Sequence, residues 1–152
     1  MACLGEGDKT SSFNEMLHAR VEEWLTSEES RTVPCAELYR YLPALYQLLA
    51  RLALDHRVDE RDRAALRATL KYIVAPFDLI PEGVVGTSGF RDDLVLAAFV
   101  VDRLTDRLAA AVVRGHWQHA GDPFAIARGI LEAATSMVGG ELCARLKEWV
   151  PS

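Results

Sequence analysis

A chain of 152 residues, half of them hydrophobic, is long enough for one domain that buries roughly 70% of the surface its unfolded form exposes, and too short to add a second. Its 17 Lys plus Arg against 22 Asp plus Glu give a net charge of −5, which offers no field to gather a nucleic-acid backbone, so no nucleic-acid partner is expected. Cys3, Cys35 and Cys143 are odd in number and stand at no ligand-like spacing; with no basic, apolar secretory start and no uncharged apolar run of about 18 residues, they predict free thiols in a cytoplasmic protein.

Residues 1–11 are small, polar and glycine-bearing, and read as a flexible leader. A first helix is expected from Ser12, whose hydroxyl and Glu15 three positions on have capping-box spacing, with Phe13, Leu17, Val21 and Trp24 on one face. After the polar SEESR turn, Pro34 suits the first turn of a second helix that carries Leu38, Leu42, Leu45, Leu49 and Leu52. Pro43 removes a backbone donor from it and predicts a kink, or a division into two helices, near Tyr41.

DHRVDERDR reads as a solvated turn, with Asp59 placed to cap a third helix over residues 60–74. That helix is expected to end at Ala75, because the residue before a proline is pushed from the helical region. A greasy but acidic stretch follows, APFDLIPEGVVGTSGFRDD. Asp92 or Asp93 should then open a long helix toward Val113, whose first two turns are apolar on every side, as befits the central helix of a fold. Beyond GHWQHAG, Asp122 and Pro123 form a strong helix start. Gly139 and Gly140 stop that helix, and a short one over residues 141–150 closes the chain before Pro151. With no strand alternation and no repeat, the expected fold is all-α: residues 12–152 as a single bundle of about six or seven helices, with a Pro/Gly-rich helix-loop-helix at residues 72–94.

Within that helix-loop-helix, Tyr72, Pro76, the DLIP of residues 78–81, Gly89, Phe90, Asp92 and Asp93 stand in a fixed order. This pattern resembles the signature of the YkvA-like family, also called domain of unknown function 1232, found widely in bacteria. The resemblance spans roughly residues 60–105. It departs from the family pattern at Ala75, where a serine is usual, at Glu82, where an aspartate is usual, and in a GVVGTSG loop without the second proline. It implies a helix-loop-helix and no activity.

Asp78, Glu82, Asp92 and Asp93 are the candidate site residues. Gathered together, four carboxylates suit a hard cation such as Mg²⁺ or Ca²⁺, and two sharing a proton suit general acid-base work. Against this, DLIPE fills with Leu and Ile the positions where such cation loops place oxygen ligands. Capping explains the same acids without a cofactor: Asp92 and Asp93 meet unpartnered amides at a helix start, and Asp78 fixes the bend in an Asx turn.

His116, His119 and Asp122 have the spacing of a partial zinc set but lack a fourth ligand, and Asp122 is already used as a cap. Cys35, near a helix N-terminus, is the more reactive thiol expected. Trp24, Tyr39, Tyr41, Tyr46, Trp117 and Trp149 read either as core or as an interface. Phe77, Leu79, Ile80, Val84 and Val85 would make an acid-rimmed apolar patch for a protein partner, with membrane contact ranked lower because the acids repel anionic lipid. The expectation is a non-enzymatic adaptor or regulatory module with no cofactor, a protein partner and room for homo-oligomers. The alternatives are a metal-dependent hydrolase using Asp78, Glu82, Asp92 and Asp93, and a membrane-associated helical protein.

Overall fold

The computed structural model describes residues 3–32, 35–79, 88–104, 110–138 and 140–149. Among them are seven α-helices and no strand, as the sequence periodicity requires. α1 (Cys3–Leu25) starts nine residues before the expected Ser12. Once a helix is nucleated, each added residue costs only its own backbone freedom against one hydrogen bond, so polar sequence upstream extends it even though a cap signal lies inside. At its C-terminal end Ser30, buried in a 3₁₀ turn (Glu29–Thr32), shares its hydroxyl between the carbonyls of Leu25 at 3.0 Å and Ser27 at 2.8 Å. That occupies acceptors which every helix C-terminus leaves open.

The break expected near Tyr41 is present. A 3₁₀ segment (Ala36–Arg40) gives way to α2 (Tyr41–Ala53), which puts Pro43 in the first turn, where a missing N–H costs nothing. The Pro43 carbonyl also accepts from Asn14 Nδ2 at 2.6 Å, tying this turn to α1. Trp24 stacks on Tyr39 and Phe13 tilts against Tyr46, each at 4.8 Å between ring centroids. Trp24, Tyr39 and Tyr46 are all buried, so these aromatics serve the core and not an interface.

α3 (Glu60–Leu79) passes through Pro76 and ends four residues beyond the expected Ala75. A proline in a final turn removes one ladder bond, and the turn outlasts that loss. Asp59 contributes its backbone carbonyl, which accepts from the Arg63 amide at 2.9 Å. α4 (Ser88–Leu104) begins four residues before the expected Asp92. Every residue from Asp93 to Ala98 is buried, and α4 packs on α6 most extensively, then on α2, α3 and α7; it is the central helix. α5 (Ala110–His116) carries Val113 into the core, while residues 105–109, where the expected long helix would continue, lie outside the described residues.

α6 (Pro123–Val138) and α7 (Gly140–Trp149) fall within a residue of expectation. Asp122 caps α6: its Oδ2 accepts from the Ala125 amide at 3.2 Å and its carbonyl from the Ile126 amide at 3.0 Å. Gly121 precedes it at φ 84°, a left-handed turn that a side chain resists, and a Cβ there would meet Ile126 Cδ1 at 3.4 Å.

Leu96 lies on the fully enclosed stretch of α4 and Leu54 is 58% exposed at the end of α2. Leu96→Ala is expected to lower the unfolding free energy by about 2–5 kcal/mol and Leu54→Ala by less than about 0.5 kcal/mol, both read from urea melts followed by helical circular dichroism.

Candidate functional site

Three of the four expected site acids stand on α3 and α4. Asp78 is the next-to-last residue of α3, and Asp92 and Asp93 stand in the second turn of α4. Starting the helix at Ser88 moves both aspartates past the cap position, so the first-turn amides are not theirs to satisfy. Residues 80–87, Glu82 among them, and the side chains of Phe77, Asp78, Leu79 and Asp92 lie outside the described residues. Asp93 is 1% exposed, surrounded by the interior of the bundle, and engaged there. A carboxylate in that position is held only where neighbours compensate its lost hydration.

A second cluster lies where the end of α2 meets the end of α5. Asp55, in the turn read from the sequence as solvated, has a side chain only 8% exposed. Its Oδ1 accepts from the Arg57 amide at 2.8 Å and from Arg57 Nε at 3.1 Å, and its Oδ2 accepts from the second guanidinium arm at 2.6 Å. His116 Nε2 reaches the same Oδ2 at 2.7 Å across 61 residues of sequence. A carboxylate only accepts, so Nε2 carries the hydrogen in this pair. The hydrogen bonds from Arg57, and next from His116, hold the Asp55 carboxyl far below the usual carboxylate range.

The other members of the partial zinc set point elsewhere. His119 Nε2 meets Gln47 Oε1 at 3.1 Å, and Asp122 Oδ1 accepts from Arg114 Nε at 2.6 Å. Among the described residues no three His, Cys, Asp or Glu side chains converge as a metal set. The spacing of residues 116, 119 and 122 is therefore spent on three separate contacts. The Asp55–His116 pair had no local sequence signal, since its two halves belong to different turns.

A groove of about 430 Å³ lies between α1, the 3₁₀ segment before α2 and the loop after α5, lined by Asn14, His18, Glu37, Arg40, Tyr41 and His119 among others. A broader depression of about 640 Å³ adjoins it, sharing Glu37 and Leu38 and reaching Cys35, Gly129 and Glu132. Cys35 is exposed and takes a left-handed backbone, φ 57°; the strain of such a residue is of order 1–3 kcal/mol. No helix among the described residues is long and apolar enough to cross a membrane.

Fold and site together define an all-α protein built around an α3–α4 hairpin with a buried acid at the root of its second helix. The family model described as "Protein of unknown function (DUF1232)" matches residues 62–99, which is this hairpin. The chain is 30% identical over 126 residues to "Uncharacterized protein ORF9" of Methanothermobacter thermautotrophicus, a match covering 83% of this chain and 82% of that protein. The chain belongs to the DUF1232 family. No solved structure matches it.

Because the Asp55 carboxyl is depressed by folding, the stability it confers is complete well above the unfolded-state value of about 3.9 and is lost as pH falls below that value toward the folded one. In a His116→Gln background, which leaves the Arg57 contacts in place, the melting-temperature gap between Asp55 and Asp55→Asn proteins should be constant near neutrality and shrink below about pH 4. A gap that widens on acidification contradicts this assignment.

Proposed function

We propose that this DUF1232 protein is a non-enzymatic helical interaction module, cytoplasmic, that docks a protein partner across the 3₁₀ ridge before α2. The observation that carries the reading is the pair of depressions on either side of that ridge, which share Glu37 and Leu38. Together they are lined by apolar residues such as Leu38, Pro43 and Ala44 beside polar ones such as Asn14, His18 and Glu37, a mixture that suits a peptide or helix better than a small substrate enclosed on all sides. Cys35 and Cys143 are free thiols, in keeping with a reducing compartment.

A photo-crosslinking residue placed at Glu37 tests this in the native host. One discrete adduct is expected, at least about tenfold stronger than from the same residue at Arg67 on α3 and competed by unmodified protein, as a bound interface requires. An adduct with a second copy of the chain assigns the surface to self-association. Equal labelling from both positions, or none, removes the reading.

A second reading, a metal-dependent hydrolase using Asp78, Glu82, Asp92 and Asp93, is favoured by one observation: Asp93 is a fully buried acid inside the family-matched segment. Calorimetric titration with Mg²⁺, Mn²⁺ and Ca²⁺ decides it. The hydrolase reading expects one saturable site that disappears in Asp78→Ala and persists in Glu15→Ala, and an absence of binding heat with all three ions eliminates it.

A further inference from the structure

Gly129 stands in the middle of α6, where glycine weakens a helix relative to alanine through its extra backbone freedom. The fold sets no steric demand for it, since a Cβ at this position would meet no atom within 4 Å. Gly115 has the same open space but is the next-to-last residue of α5, and glycine near a helix end is ordinary. At Gly129 the bare backbone instead opens onto the depression of about 640 Å³ between α6 and the 3₁₀ segment. Ala133, one turn further along, lines the same depression, so two small residues share that face of the helix.

The charge of the depression has one sign. Glu132 on the α6 side and Glu37 on the 3₁₀ side are its only charged lining residues; both are exposed, and neither has an ion partner among the described residues. Leu38 is the largest apolar side chain lining it. Two carboxylates fall well short of the roughly six to eight oxygens that a calcium ion takes, and no third His, Cys, Asp or Glu converges with them among the described residues. A second copy of the chain, itself at −5, is disfavoured by like charge. An extended peptide would need a sheet edge to pair with, and there is no strand among the described residues. A cationic helix meets every feature at once.

We infer that the depression seats a basic amphipathic α-helix of a partner protein, its axis brought close to α6 at Gly129 and Ala133, its apolar face against Leu38, and its Lys or Arg side chains reaching Glu37 and Glu132. Helix axes approach to about 8–10 Å according to the side chains between them, and a glycine–alanine face permits the short end of that range. Each carboxylate gains a charge-assisted hydrogen bond on docking. Such a helix is the protein partner of the docking surface proposed above, with its chemistry specified, and depends on that reading.

Cys35 is an exposed thiol lining the depression, so its alkylation rate reports coverage, while Cys143, packed against the Val95–Ala134 cluster, is the internal reference. The probe is a synthetic helical peptide with Ala and Leu on one face and Lys on the other, compared with its counterpart carrying Glu for Lys. Saturating Lys peptide should slow Cys35 alkylation by at least about fivefold and leave Cys143 unchanged, and the Glu peptide should protect neither. Protection should be lost in the Glu37→Lys/Glu132→Lys protein and in Gly129→Gln. Gly129→Gln should at the same time raise the melting temperature by about 2–4 °C, a gain in stability with a loss of binding that a glycine serving only the fold would not produce. The proposal is overturned if the Lys peptide leaves Cys35 unprotected, if the Glu peptide protects it equally, or if either variant is protected as the parent is. If the Lys peptide fails while the Glu37 photo-adduct forms with another protein, the docking surface stands and its cationic occupant falls; failure of both removes both.

Discussion

Leu94, Val95, Leu96, Ala97 and Ala98 leave this stretch of α4 no face for water, and a helical stretch enclosed on every side has to be wrapped by the rest of the chain. α6, α2, α3 and α7 supply that wrapping, and α2 is itself nearly enclosed, ten of its thirteen residues being buried as it packs on α1, α3, α4 and α5. The small side chains of Ala97 and Ala98 allow close approach at the crowded middle, and bulkier Leu and Val fill the layers around them. α2 and α4 contribute the largest shares of the side-chain core. The buried Asp93 is the exception placed on it, one residue before the apolar run begins.

The parts of the fold legible in the sequence were those where local chemistry and tertiary packing agree. Asp122 followed by Pro123 gave the start of α6 because the cap, the missing proline donor and the apolar stripe all point to one residue. Pro43 gave the division before α2 for the same reason. The three displaced ends, at Cys3, Leu79 and Ser88, are all places where a helix runs beyond its punctuation. Cap signals and prolines change the free energy of an end by roughly one to three kcal/mol, and a helix already held by its neighbours absorbs that amount.

The functional features divide in the same manner. The hairpin that carries the family match was readable from the order of Tyr72, Pro76, Asp78 and the paired aspartates, because a motif is a local object. The Asp55–His116 contact was not, since neither DHR nor GHW says which distant turn it will meet. Burial inverted the local impression: a turn dense in charges looked solvated, yet its aspartate became one of the least exposed acids by drawing in Arg57 and His116.

The same Asp55–His116 contact also bears on the order in which the molecule assembles. It closes a loop of 61 residues that contains all of α3 and α4. Loop closure is slow to repay its entropy, and the enclosed chain must already be compacted before the two ends meet within 2.7 Å. The clasp therefore belongs to the descending side of the folding barrier: it forms after the hairpin has condensed on α2, and its rupture governs how fast the native state opens more than how fast it is reached.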